Sequence, residues 1–116
     1  MKTGKISESI LKRSVLRQIS NQRQEVIKGA GVGEDCAFLS WRDSAEENAE
    51  AFGMIAVATQ TVALPVRNVA SLAVMAAVNN LAAAGANPVG VTLAVTLPSE
   101  AEESLLKELM RQAERC

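Results

Sequence analysis

Gly31-Val32-Gly33-Glu34-Asp35-Cys36-Ala37-Phe38-Leu39 sets two glycines and two carboxylates directly before an apolar run. Glycine lets a backbone take positive φ and lie close against a ligand, so successive N–H groups can form an anion-binding nest. An aspartate at its edge can hold Mg²⁺ against phosphate oxygens. The same residues also describe a plain turn opening a strand, with Asp35 starting an Asx-type turn. In an extended chain Glu34 points to the opposite face from Asp35.

Downstream of the loop, the pattern predicts a strand over 35–41, a polar connector over 42–50 carrying Asp43, Glu46, Glu47 and Glu50, and a second strand over 53–61. Upstream, Ser7 is placed to cap a helix whose apolar positions Ile10, Leu11, Val15 and Ile19 recur at helical spacing. The polar run from Ser20 to Gly31 reads as a surface loop. From Asn68 to Ala84 the chain is uncharged and rich in Ala, Val, Leu and Met, which predicts a buried helix, with Gly85 as its C-cap and Pro88 as its stop. That break also keeps the run too short for a membrane span. Val89–Leu97 reads as a central strand. Ser99, with Glu102 three residues on, reads as a capping box for a last helix. On that helix Leu105, Leu106, Leu109, Met110 and Ala113 share one face, while Glu103 and Lys107 pair at i,i+4. The amphipathic pattern predicts that it lies on a sheet.

The order helix, glycine loop, strand, strand, helix, strand, helix gives an α+β fold: a small mixed sheet with helices on one face. The apolar runs Met54–Ala58 and Val91–Val95 would leave the uncovered face and the edges of so small a sheet exposed in a monomer. Pairing with the sheet of a second chain is the expected remedy.

Composition narrows the function. The 116 residues are 48% hydrophobic with three large aromatics, enough for one domain with an aliphatic core. Twelve basic against thirteen acidic residues, net charge −1, leave no basic footprint for nucleic acid or an anionic membrane. The absence of histidine removes the commonest general base, the Ser-His and Cys-His pairs and the usual zinc ligands. Cys36 and Cys116 follow no secretory leader at Met1–Ile10 and read as reduced thiols of a cytoplasmic protein, Cys36 as an inert core thiol. Asn79 and Asn80 lie in an apolar helix, where a buried amide needs a partner: loop backbone or a ligand. Lys5 is either a mobile surface lysine or a phosphate contact.

Taken in order, Gly4-Lys5-Ile6, the 31–37 loop, Ala58-Thr59-Gln60-Thr61, the stretch Val78-Asn79-Asn80-Leu81-Ala82-Ala83-Ala84-Gly85-Ala86-Asn87-Pro88, and Leu97-Pro98 resemble the N-terminal domain of the AIR synthase-related superfamily. That superfamily includes aminoimidazole ribonucleotide synthetase, thiamine-monophosphate kinase, selenophosphate synthetase and the hydrogenase maturation carbamoyl dehydratase. The overall look is nearest the hydrogenase-maturation branch. The resemblance implies a single domain over 1–116 whose sheet joins that of a second copy in a dimeric barrel. It also implies ATP held near the seam by Gly31, Gly33, Asp35, Gln60 and Asn80, with Mg²⁺ on Asp35. The expected chemistry is γ-phosphoryl transfer to a substrate oxygen, such as that of a carbamoyl or amide group, which rests on positioning and charge neutralisation. Relatives usually carry Asp where this chain has Gln60 and Asn80, which weakens the grip on a divalent ion. The family's larger C-terminal domain is expected to lie outside this chain, leaving the domain alone inactive. The alternative is a dimerisation or nucleotide-sensing module that has lost its metal-binding carboxylates.

Overall fold

The structure, a computed structural model, describes residues 5–42 and 52–116. They belong to two compact units, Met1–Val57 and Ala58–Cys116. Of the polar connector expected over 42–50, Arg42 instead ends a strand, and 43–50 lie outside the described residues.

In the first unit, α1 (Glu8–Ile10) runs without a break into a π-helical turn, Leu11–Val15, and a 3₁₀ turn, Leu16–Gln18. The expected helix is therefore present but irregular. Ser7 stands at its N-cap without a side-chain capping bond, its hydroxyl lying 3.1 Å from that of Ser9 instead. Three strands follow: β1 (Val26–Lys28), β2 (Ala37–Arg42) and β3 (Phe52–Val57), paired in that order.

The pairing is antiparallel throughout, so the mixed sheet read from the sequence is corrected, among the described residues, to an antiparallel meander. β2 and β3 run in continuous register from Ala37↔Val57 to Arg42↔Phe52. β1 pairs through Val26↔Leu39 and Lys28↔Phe38 with a register irregularity between them, the mark of a bulge. Strand β1 falls within the stretch read as loop. Its three residues are too few to show a period, and what holds them is tertiary. The Ser40 amide donates to the Glu25 carbonyl at 2.7 Å, its hydroxyl reaches the same oxygen at 3.3 Å, and Arg23 grips the Glu25 carboxylate with two hydrogen bonds.

In the second unit α2 (Val69–Ala83) packs against α3 (Glu103–Glu114). The end of α2 follows expectation closely. Gly85 takes φ +76°, its amide donates to the Ala82 carbonyl at 3.0 Å, and the Ala86 amide donates to Leu81 at 2.9 Å. These are the two bonds of a Schellman motif, which satisfy carbonyls the helix would otherwise orphan.

Four expectations are corrected in this unit and at its border. β3 ends at Val57, so Ala58–Thr61 lies beyond the strand. The 89–97 segment carries no strand, because its backbone meets no pairing partner within this chain's described residues. Ser99 does not cap α3: Glu102 is the N-cap, and the Ser99 hydroxyl donates to the Glu100 carboxylate at 3.0 Å. Within this unit the apolar face of α3 rests on α2, a helix where a sheet was expected, through Leu109 and Ala113 on α3 and Val74 on α2, while Leu105, Leu106 and Met110 of the same face stay exposed.

The helix pair is also tied through polar groups. Gln112 Nε2 donates to the Arg67 carbonyl at 2.7 Å, and Ser71 Oγ donates to the Gln112 carbonyl at 3.1 Å. Gln112 Oε1 is buried without a hydrogen-bond partner, so the clamp holds at the cost of one unsatisfied acceptor.

Much apolar surface stays uncovered. Met54 (65% exposed), Ile55 and Val57 on β3 face solvent, as do Val89, Val91 (55%), Leu93 and Val95. α2, apolar nearly all round, buries only Val74 well, although such a helix is normally enclosed. Among the described residues no helix is long and apolar enough to cross a membrane.

Candidate functional site

The glycine loop leaves β1 at Lys28 and enters β2 at Ala37. Between them Val32 and Gly33 form a turn, with Gly33 at φ +77°. This is the left-handed region that glycine takes without steric cost. Gly31 is small for a different reason: a Cβ there would stand 2.9 Å from Glu34 Cγ. Asp35 is exposed at the strand entrance, and Cys36 is buried just after it. The first three nucleotide-site residues expected from the sequence, Gly31, Gly33 and Asp35, are thus held together by one loop and one strand.

Glu34 occupies neither strand face. It precedes β2, and its Oε2 lies 2.6 Å from Lys28 Nζ, so the ion pair spans the neck of the loop. Lys28 was missed by the sequence reading, since a lysine in a polar stretch carries no signal until the loop closes on it. Cys36 and Cys116 are not joined by a disulfide.

In the second unit Gln60 and Asn80 are brought together. Asn80 Nδ2 donates to Gln60 Oε1 at 3.5 Å, while Gln60 Nε2 donates to the Thr61 carbonyl at 3.5 Å. Both bonds are long. The two amides satisfy each other in part, as neutral donors and acceptors can and two carboxylates could not. Asn80 lies on α2 and Gln60 in the segment after β3. Asn79, the other amide of the pair, is exposed, so it needs no buried partner. Lys5 is exposed as well.

For a divalent ion, the loop offers Asp35 as a carboxylate, while Glu34 is already paired with Lys28. No group of three or more His, Cys, Asp or Glu side chains that could hold a metal occurs among the described residues. Such a donor set does not enclose a metal. It fits Mg²⁺ only as an ion that brings most of its octahedral shell as phosphate oxygens and water, with one carboxylate from the protein.

Among the described residues, the largest effect on a titrating group lies beside the sheet, outside the loop. Glu25 is pushed down to about 2, first by its hydrogen bonds from Arg23, then by a backbone N–H. This pair ties β1 to its lead-in and is too exposed to mark a reactive group.

No curated protein and no solved structure matches the chain. Residues 13–116 match the family described as AIR synthase related protein, N-terminal domain. That span takes in the glycine loop, all three strands, the Gln60–Asn80 pair and both long helices. The chain belongs to the AIR synthase-related family and represents its N-terminal domain.

Proposed function

We propose that this chain is the nucleotide-binding and dimerisation domain of an ATP-dependent enzyme of the hydrogenase-maturation-like branch. The observation that carries the reading is the loop itself, with Gly33 in the left-handed region beside an exposed Asp35 at a strand entrance, within a chain of this family. Backbone amides of the loop would receive the phosphates, and Asp35 would hold Mg²⁺ carried by the nucleotide. ATP would lose its γ-phosphoryl group to a carbamoyl or amide oxygen: the bond to the β-phosphate oxygen breaks, a new oxygen–phosphorus bond forms and ADP departs. Positioning and charge neutralisation do most of such a reaction.

The exposed apolar side chains of β3 and of the 89–97 segment support a homodimer in which these stretches are covered by a second copy. Substrate contacts would come from the family's C-terminal domain, so the domain alone would bind without turning over. The proposed setting is the cytoplasm, with neither nucleic acid nor membrane as partner.

A second reading is favoured by the Gln60–Asn80 pair. Two neutral amides bonded to each other offer a metal less than the carboxylates of relatives, as expected of a module that kept the fold and senses nucleotide without turnover. Calorimetric titration of the full protein with ATP and Mg²⁺ separates the two. The first reading requires Mg²⁺-dependent binding that Asp35→Asn abolishes. Weak or metal-independent binding that Asp35→Asn leaves unchanged would reject it in favour of the second.

A further inference from the structure

We propose that Lys28 and Glu34 form a strap across the neck of the glycine loop, acting as positioning residues that fix its shape and cancel a negative charge where an anion would sit. The proposal rests on the reading that this loop receives a phosphate group.

Three observations converge on it. Lys28 Nζ and Glu34 Oε2 are 2.6 Å apart, joining the residue that ends β1 to the residue that returns the chain toward β2. Lys28 is itself anchored by its register with Phe38 on β2, so the cation is presented from the sheet rather than from a loose segment. Gly31 lies so close beneath the Glu34 side chain that a Cβ would stand 2.9 Å from Cγ, so the glycine leaves the room through which this side chain passes to Lys28.

The charges explain why a strap is needed. A nest of N–H groups attracts an anion, but a bare carboxylate one residue from Asp35 would repel it. Asp35 can be offset by a nucleotide-borne cation, whereas Glu34 is offset by Lys28. The pair is partly exposed, so its effect is modest: an ion pair of this kind changes an equilibrium by about two- to five-fold.

The experiment uses the full protein and five variants: Lys28→Ala, Glu34→Gln, Lys28→Arg, the neutral double variant Lys28→Ala/Glu34→Gln, and the exchanged pair Lys28→Glu/Glu34→Lys. Hydrogen exchange of peptides spanning 29–35 reads the strap without any ligand. Lys28→Ala and Glu34→Gln should each speed exchange by about two- to five-fold, while Lys28→Arg and the exchanged pair should return it to the native rate. Titration with Mg²⁺ and ATP reads the charge. Lys28→Ala should bind most weakly, and the neutral double variant should recover most of the loss.

Unchanged exchange in both single variants, or failure of the exchanged pair to restore protection, overturns the strap. A neutral double variant that binds as weakly as Lys28→Ala overturns the charge-cancelling role and makes Lys28 a direct phosphate contact. If the native protein takes up no nucleotide while exchange responds as stated, the strap stands and the functional reading fails.

Discussion

Replacing Gly33 by alanine isolates one quantity, the cost of the left-handed backbone at the turn of the loop. Gly33 sits at φ +77°, and no atom lies within 4 Å of where a Cβ would be built. Steric collision therefore contributes nothing, and the whole penalty is conformational, on the order of 1–2 kcal/mol for an L-residue held in this region. Asparagine tolerates the region better, so Gly33→Asn should lose less than Gly33→Ala. Gly85, at φ +76° with equally open surroundings, supplies a second measurement at a helix end. Gly90 supplies the control: it also has open space around its Cβ position but no positive φ, so Gly90→Ala should cost nothing or stabilise by up to about 1 kcal/mol through the unfolded chain. The assay is urea unfolding. With a slope of roughly 1–1.5 kcal/mol/M for a chain of this size, Gly33→Ala should lower the midpoint by about 1 M relative to Gly90→Ala. Equal midpoints for Gly33→Ala, Gly33→Asn and Gly90→Ala would show that the turn does not occupy the left-handed region, and the anion nest built on it would lose its basis.

The remaining predictions concern the carboxylate that leads into β1 and the exposed apolar stretches. Because Glu25 is held at about 2 in the folded chain against an ordinary 4.5, the native state binds fewer protons at that site than the unfolded one. Its contribution is present above about pH 4.5 and is lost as pH falls toward 2. Arg23→Ala should return the Glu25 carboxyl to the ordinary range in a carboxyl NMR titration, and an unmoved titration would dissociate the shift from the Arg23 bonds. Self-association should depend on the exposed apolar stretches: Val91→Lys or Met54→Lys, at positions 55% and 65% exposed, should shift sedimentation from dimer toward monomer with little loss of helix signal. A native protein that sediments as a monomer throughout the micromolar range would remove the case for a shared barrel.

How much was legible in advance depended on how local each determinant is. The loop could be read because its residues act on their own backbone. Glycine at 33 and 85 permits positive φ wherever the chain is placed, and the same logic gave the C-cap of α2 and the stop before Pro88. β2 and the amphipathic α3 were readable because five apolar residues at helical spacing, or a run of strand formers, carry their own period. β1 was not, since three residues show none. The cap of α3 was misplaced because Ser99 and Glu102 satisfy the spacing of a capping box, yet the Ser99 hydroxyl turns to its neighbour Glu100.

The candidate site divides along the same line. The proximity of Gly31, Gly33 and Asp35 is written in contiguous sequence, whereas Gln60 and Asn80 were assigned to one site only through family likeness and their bond to each other was not foreseen. The Lys28–Glu34 bond was invisible, because it exists only once β1 has paired with β2 and fixed where each end of the loop stands.

By itself, then, the sequence determined the glycine turn, the C-terminal end of α2, strand β2 and the long helices α2 and α3, since these follow from backbone freedom and from hydrophobic period over a few residues, while the order of its motifs pointed to the family. Only the tertiary structure decided that the sheet is antiparallel, that α3 rests on α2, that the 89–97 segment stays unpaired among the described residues, and that Glu34 is neutralised across the loop. Each of those depends on which distant surface supplies the hydrogen bonds, apolar cover or opposite charge that a local stretch lacks.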